Sequence, residues 1–122
     1  MEPTVLIYGV EPRQSKRLRE LFAKKGVRAK TVRAEDYGEA VGALCGAAKR
    51  TGAAPADAKM SPMLVFCGCA ARQLDMLLTE MRTARLCPDA LRAVLTQTNT
   101  AWSGERLCAE LERERAGTER EQ

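Results

Sequence analysis

Two short, uninterrupted apolar runs, each with a glycine near its end, most constrain the fold of this chain. They are TVLIYGV at positions 4–10 and MLVFCGC at positions 63–69. A continuous apolar run of this length is typical of a strand that is buried on both faces, as in a parallel sheet. The sequence therefore predicts a central sheet that is covered by helices on both sides.

Two further segments complete the predicted sheet. LRAVLTQT at 91–98 is nearly as apolar at its start, whereas VRAKTVR at 27–33 alternates between small or apolar residues and basic ones. Alternation predicts an edge strand with one face in water. The edge character of the second strand favours the strand order 2-1-3-4, in which the two most apolar strands are central.

Helical periodicity fills the gaps between the strands. Within 12–25, Leu18, Leu21 and Phe22 form one apolar stripe, and within 71–85 leucine and methionine recur at i, i+3, i+4 and i+7. A further helix is predicted at 103–115 and a weaker one at 39–49.

The alternation of strands and helices predicts a small three-layer α/β/α domain with a four-stranded, mostly parallel, flavodoxin-like sheet. If the second helix is minor, the same elements fit a ferredoxin-like α+β fold, which is the alternative. We expect a single domain over 1–116, with a mobile internal loop at about 50–62 and a frayed polar tail at 117–122. The sequence shows no internal repeat.

The chain contains no histidine and five cysteines. Without histidine, a Ser-His-Asp or Cys-His device cannot form within one chain. The odd number and irregular spacing of the cysteines argue against a disulfide framework and against paired metal ligands. We therefore expect a non-catalytic protein with no metal and no cofactor. The alternative is an enzyme or redox protein that uses Cys69, because a helix N-terminus lowers the pKa of a thiol and makes it more reactive.

The start of the chain lacks the pattern of a signal peptide, and no segment approaches the length of a membrane span. The expectation is a cytoplasmic protein without membrane contact.

A binding site is expected where ligands meet doubly wound sheets, at the carboxyl ends of strands near the point where the strand order reverses. This site would take a small ligand or a protein partner. The candidate residues follow the first, third and fourth strands: Gly9, Gly68, Cys69, Thr96, Thr98, Asn99 and Trp102.

The segment LTQTNTAWSGERL at 95–107 has two interpretations. If Ser103 is a helix N-cap, Trp102 and Leu107 occupy the positions of a hydrophobic staple, so Trp102 is a structural joint. Asn99 is then only a turn residue. The polar run at 96–98 is not needed for such a joint, and together with the free N–H groups of the helix it would suit an anion or a polar ligand.

A second candidate surface is the basic segment at 13–30. Its charges lie opposite the apolar stripe of the first helix, where a solvated face explains them. The alternative is contact with nucleic acid or another acidic partner, although the lack of interleaved aromatic residues disfavours nucleic acid. The patch consists of Arg13, Lys16, Arg17, Arg19 and Lys24.

Two observations concern packing and association. Gly38, Gly42 and Gly46 are spaced four apart and predict close packing of a helix on the sheet, or else close approach to a ligand.

Met76 lies off the apolar stripe of its helix, and the strand at 91–98 could pair with a copy of itself, so a homodimer is possible.

Three stretches resemble a bacterial family, the domain of unknown function numbered 3783. They are EDYGEAVGALCG at 35–46, MLVFCGCAARQLDMLL at 63–78 and LRAVLTQTNTAW at 91–102. The opening PTVLIYGVEP is also similar to that family. The resemblance departs from the family pattern at Gln97, which stands in place of a proline, and at Cys69, Ala70 and Ala71, which stand in place of Phe-Ser-Ser. The resemblance implies no activity, because the family has none assigned.

Overall fold

The structure of the protein, a computed structural model, describes residues 2–52 and 60–121, with side chains up to residue 117. Residues 53–59 of the expected internal loop therefore lie outside the described residues. The elements in chain order are β1 (Thr4–Tyr8), α1 (Pro12–Lys24), β2 (Arg28–Thr31), α2 (Val41–Leu44), β3 (Met63–Cys67), α3 (Ala71–Thr83), β4 (Leu91–Val94) and α4 (Gly104–Glu121). A 3-10 turn at Ala34–Asp36 precedes α2.

The four strands form one mixed sheet in the order β2-β1-β3-β4. This confirms the predicted α/β domain and its strand order. Every residue of β1 and β3 is buried, as expected for strands covered on both faces. Because successive side chains of a strand point to opposite faces, β1 and β3 contribute to two apolar clusters. Leu18 and Phe22 of α1 and Leu77 and Met81 of α3 cover one face, and Val41 of α2 and Leu107 of α4 cover the other.

The strand directions differ from those of a fully parallel sheet. β1 pairs with β2 and β3 pairs with β4 in parallel, but β1 and β3 are antiparallel, with Thr4 opposite Cys67 and Tyr8 opposite Met63. A parallel crossover needs a connection that spans the length of the sheet. The helix between β2 and β3 has only four residues. β3 therefore starts at the same end of the sheet at which β2 stops. The two parallel pairs also exclude the ferredoxin-like alternative, whose sheet is antiparallel.

The antiparallel pairing relates two similar βαβ units. In each unit a five-residue strand, a three-residue loop that begins with a left-handed glycine, a 13-residue helix and a four-residue strand follow one another. Thr4 corresponds to Met63 and Gly9 to Gly68, and a pseudo-twofold axis passes through the Leu6–Val65 pair. The structure thus contains a repeat that the sequence does not show, because the two units share a burial pattern rather than residue identities.

Two predicted helices have different bounds. The helix expected at 39–49 is reduced to Val41–Leu44, since Gly46 has a φ of +89°. Gly42 donates its N–H to the carbonyl of Thr100 at 2.8 Å and leaves no room for a side chain. Its close packing is therefore against the loop that follows β4. α4 is longer than expected and continues to Glu121, through most of the predicted tail.

Candidate functional site

The antiparallel pairing divides the predicted strand-end site between two edges of the sheet. Gly9 follows β1 at one edge, whereas Gly68 and Cys69 follow β3 at the opposite edge. The segment 96–100 follows β4, which is parallel to β3, and so lies at the same edge as Gly68. The prediction that the carboxyl ends of β1 and β3 meet at one switch point is therefore wrong.

The polar run after β4 mainly bonds to itself. Asn99 is buried, its Oδ1 accepts the N–H of Thr96 at 2.8 Å, and its Nδ2 donates to the carbonyl of Val94 at 3.0 Å. The Thr96 hydroxyl accepts the N–H of Asn99 at 3.0 Å. Thr98 is exposed. Two of the candidate side chains, Thr96 and Asn99, thus have structural partners, and a binding role for this loop stays a prediction.

The N-cap predicted at Ser103 is confirmed. The Ser103 hydroxyl accepts the N–H of Arg106 at 3.0 Å, which is the N-cap bond of α4. Trp102 packs against the same apolar cluster as Leu107, the two positions of a hydrophobic staple. The Arg106 guanidinium lies 4.2 Å from the centroid of the Trp102 ring, a cation–π contact.

Cys69 lies before α3, whose N-cap residue Ala70 makes no side-chain capping bond. The side chain of Cys69 is partly buried against the core, and this burial raises the pKa of its thiol. A catalytic cysteine needs the opposite shift, because the thiolate is the nucleophile. The surroundings of Cys69 thus oppose the alternative of a cysteine-dependent enzyme.

The basic patch of α1 is a solvent-exposed face. Leu18 and Phe22 are buried on the opposite side of the helix. All five predicted members are exposed, namely Arg13, Lys16, Arg17, Arg19 and Lys24. A contact between this face and an acidic partner stays a prediction.

A cavity that sequence analysis did not identify lies between the end of α3 and the start of β4. Its volume is about 360 Å³. We call it the arginine pocket, and its lining residues are Met81, Arg82, Arg85, Leu86, Pro88 and Arg92. Within the described part of the chain, no carboxylate forms a salt bridge with any of its three guanidinium groups. Glu80, which directly precedes Met81 on α3, forms a salt bridge with Lys25 instead: its Oε1 is 3.4 Å from the Nζ of Lys25.

The backbone at Arg85 has an unusual conformation for its residue type. Arg85 has a φ of +55°, and the N–H of Leu86 bonds to the carbonyl of Met81 at 3.0 Å. This is the Schellman motif, whose left-handed position is usually glycine. In the first βαβ unit the same motif ends α1, and Gly26 with a φ of +74° occupies that position. The second unit therefore keeps an arginine where the local geometry favours glycine.

A second cavity, of about 380 Å³, lies on the other side of the same turn. Its polar groups largely bond to one another: the Cys87 thiol donates to Oε1 of Gln14 at 3.1 Å, and Nη1 of Arg115 donates to the carbonyl of Asp89 at 3.0 Å. Burial raises the pKa of the Cys87 thiol, although Arg92 opposes the shift. This cavity is less suited to a charged ligand than the arginine pocket.

Neither a metal centre nor a membrane span was found in the described residues. No group of three or more His, Cys, Asp or Glu side chains there is placed to hold a metal ion. In the same residues, no helix is long and apolar enough to cross a bilayer.

The fold and its cavities define a small α/β domain made of two βαβ units and a carboxyl-terminal helix. Residues 62–116 match the family model described as Domain of unknown function (DUF3783). The match covers β3, α3, β4 and most of α4. It begins after the first βαβ unit and is therefore shorter than the resemblance seen in the sequence. No curated protein and no solved structure gives a significant match.

Proposed function

We propose that this domain is a non-catalytic binding module for an anionic ligand and that the arginine pocket is its binding site. The observation that carries the proposal is that three exposed arginines, Arg82, Arg85 and Arg92, line one cavity and form no salt bridge with any carboxylate of the described residues. Like charges that share a cavity repel one another, and a bound anion removes this repulsion.

The chemistry of the pocket suits a carboxylate or a phosphate. A guanidinium presents its N–H donors in a planar fork that binds either group through two parallel hydrogen bonds. Met81, Leu86 and Pro88 add apolar surface beside the guanidinium groups. A volume of about 360 Å³ is within the range of small-ligand sites.

The helix dipole alone does not explain this arrangement. Arg82 is in the last turn of α3, where a cation is favourable for the helix itself. Arg85 follows the helix in a left-handed conformation, and Arg92 is on β4. The helix end thus accounts for a cation at Arg82 and Arg85. It explains neither the choice of arginine over glycine at the left-handed position nor the presence of Arg92.

The pocket also lies within the family-matched segment 62–116. The predicted strand-end site is divided by the antiparallel pairing, and the pKa shift of Cys69 opposes catalysis. Among the functions considered from the sequence, a small-ligand binding module is therefore the one that this geometry supports best.

A titration with inorganic phosphate, followed by amide chemical shifts, tests the proposal. We expect saturable shifts concentrated at residues 81–92. Arg85→Gln and Arg92→Gln should each weaken binding by about tenfold or more, since a charge-assisted hydrogen bond is worth about 1.5–3 kcal/mol.

Arg17→Gln is the matched control, because Arg17 is exposed on α1 and does not line the pocket. It should leave the dissociation constant unchanged. An absence of saturable shifts, or an equal loss of binding in Arg17→Gln, would refute a specific anion site at the arginine pocket.

A further inference from the structure

An apolar pocket adjoins the arginine pocket, and Arg92 lines both. Its volume is about 140 Å³, and its remaining lining residues are Phe66, Leu74, Leu78, Ala93 and Val94. Val94 is 46% exposed, although it is a large hydrophobic residue on a strand. In the described part of the chain, Met76 is the only other large hydrophobic side chain with comparable exposure.

From this adjacency we propose that the ligand is an amphiphilic anion: a carboxylate or phosphate head group that carries a short apolar chain. The inference rests on the proposed function, because the arginine pocket must hold the head group. The ligand's apolar chain would lie between α3 and β4 and cover Leu74, Leu78 and Val94. Burial of this apolar surface would then add to the affinity that the head group provides.

A peptide strand or a second copy of this chain fits the same surface less well. Leu91 and Leu95 donate their N–H groups to the carbonyls of Pro62, just before β3, and Phe66 of β3. The backbone groups of Arg92 and Val94 therefore point towards the open edge of β4. The carbonyl of Val94 already accepts a hydrogen bond from Asn99, which shortens the edge available for pairing. A second copy paired along β4 would also bring like-charged Arg92 side chains close together, which is unfavourable. The edge is thus protected against strand addition.

The test compares short and long anions with the same head group. Acetate and hexanoate form one pair, and inorganic phosphate and hexyl phosphate form the other. Each anion is titrated into the full-length protein, and binding is followed by amide chemical shifts. We expect hexanoate to bind at least about tenfold more tightly than acetate, since each buried methylene contributes up to about fourfold. The same gain is expected for hexyl phosphate, with new shifts at residues 74–78 and 93–94. The head group that binds more tightly at equal chain length identifies the natural anion class.

Two variants show where the apolar chain of the ligand binds. Val94→Ser should remove at least half of the logarithmic gain from chain length and leave the affinity for acetate and phosphate unchanged. Met76→Ser is the matched control, because Met76 is 38% exposed on α3 but does not line the apolar pocket. It should leave the gain intact. A thermal melt of each variant shows that it is folded before the titration.

The outcomes separate the inference from the proposed function. If the short anions bind at the arginine pocket but chain length changes the affinity by less than about twofold, the amphiphile is refuted and anion binding stands. If Met76→Ser and Val94→Ser change the gain in affinity from chain length equally, the amphiphile is also refuted, because the ligand's apolar chain would then bind nonspecifically. If none of the four anions gives saturable shifts, both proposals fail.

Discussion

At the scale of single residues, Arg85 shows most clearly a conflict between local backbone preference and side-chain position. A non-glycine residue in the left-handed region costs about 1–2 kcal/mol. Gly26, its counterpart in the first βαβ unit, avoids that cost. A strained residue is a reason to look for a function, and here the strained residue lines the arginine pocket.

Arg85→Gly is therefore expected to stabilise the protein while it weakens anion binding. The free energy of unfolding should rise by about 0.5–1 kcal/mol, because relief of the left-handed strain exceeds the extra freedom that glycine gives the unfolded chain. Urea denaturation measures the first effect and a phosphate titration the second.

Gly26→Ala is the companion variant and should lower the free energy of unfolding by about 1 kcal/mol, since the added Cβ meets no neighbouring atom and only the backbone conformation is strained. A decrease in stability for Arg85→Gly would show that the arginine side chain stabilises the fold itself.

At the scale of elements, the loop after β4 is a structural clamp. Asn99 fixes the end of β4 through Val94 and Thr96, and Thr100 receives the close approach of Gly42 from α2. The loop thereby joins the edge of the sheet to the layer that contains α2 and α4.

Asn99→Ala is expected to lower the free energy of unfolding by about 2 kcal/mol, because it removes two side-chain hydrogen bonds and leaves a backbone donor and acceptor without their partners. Thr98→Ala, one residue away on an exposed side chain, should change it by less than about 0.5 kcal/mol. Equal effects of the two variants in urea denaturation would contradict a structural role for Asn99.

At the scale of the whole molecule, the connection between the two βαβ units is held by a buried carboxylate. Glu39 is 2% exposed and accepts hydrogen bonds from the N–H groups of Ala40, Thr51 and Gly52 and from the Thr51 hydroxyl. The Thr51 hydroxyl bond is the main cause that lowers the pKa of Glu39 from 4.5 to about 2, and burial opposes it. The carboxylate thus fixes both ends of the segment that contains α2.

This shift makes the fold sensitive to acid in a defined window. Because the folded state lowers the pKa of Glu39, its contribution to stability is fully present above pH 4.5 and is lost as the pH falls towards about 2. Glu39→Gln should be less stable than the wild type at neutral pH, and the difference should shrink across that window. Urea denaturation at a series of pH values measures it. A difference that is constant with pH would show that the Glu39 carboxylate does not titrate as its hydrogen bonds imply.

The sequence by itself determined the layers of this protein and the order of its strands. Continuous apolar runs must be buried on both faces, so they became β1 and β3, and the alternating segment at 27–33 became the edge strand β2. The helix start at Ser103 was equally predictable, since capping and the hydrophobic staple are local interactions.

Only the tertiary structure decided the direction of β3 and, with it, the place of the candidate site. Both directions of β3 bury the same residues, so the choice depends on where the long connection at 32–62 returns to the sheet. Once β3 runs antiparallel to β1, the predicted strand-end residues separate. Arg82, Arg85 and Arg92, by contrast, come together from a helix end, a turn and a strand, although no local pattern of residues links them. A site of this kind depends on distances between elements, which the spacing of residues along the chain does not specify.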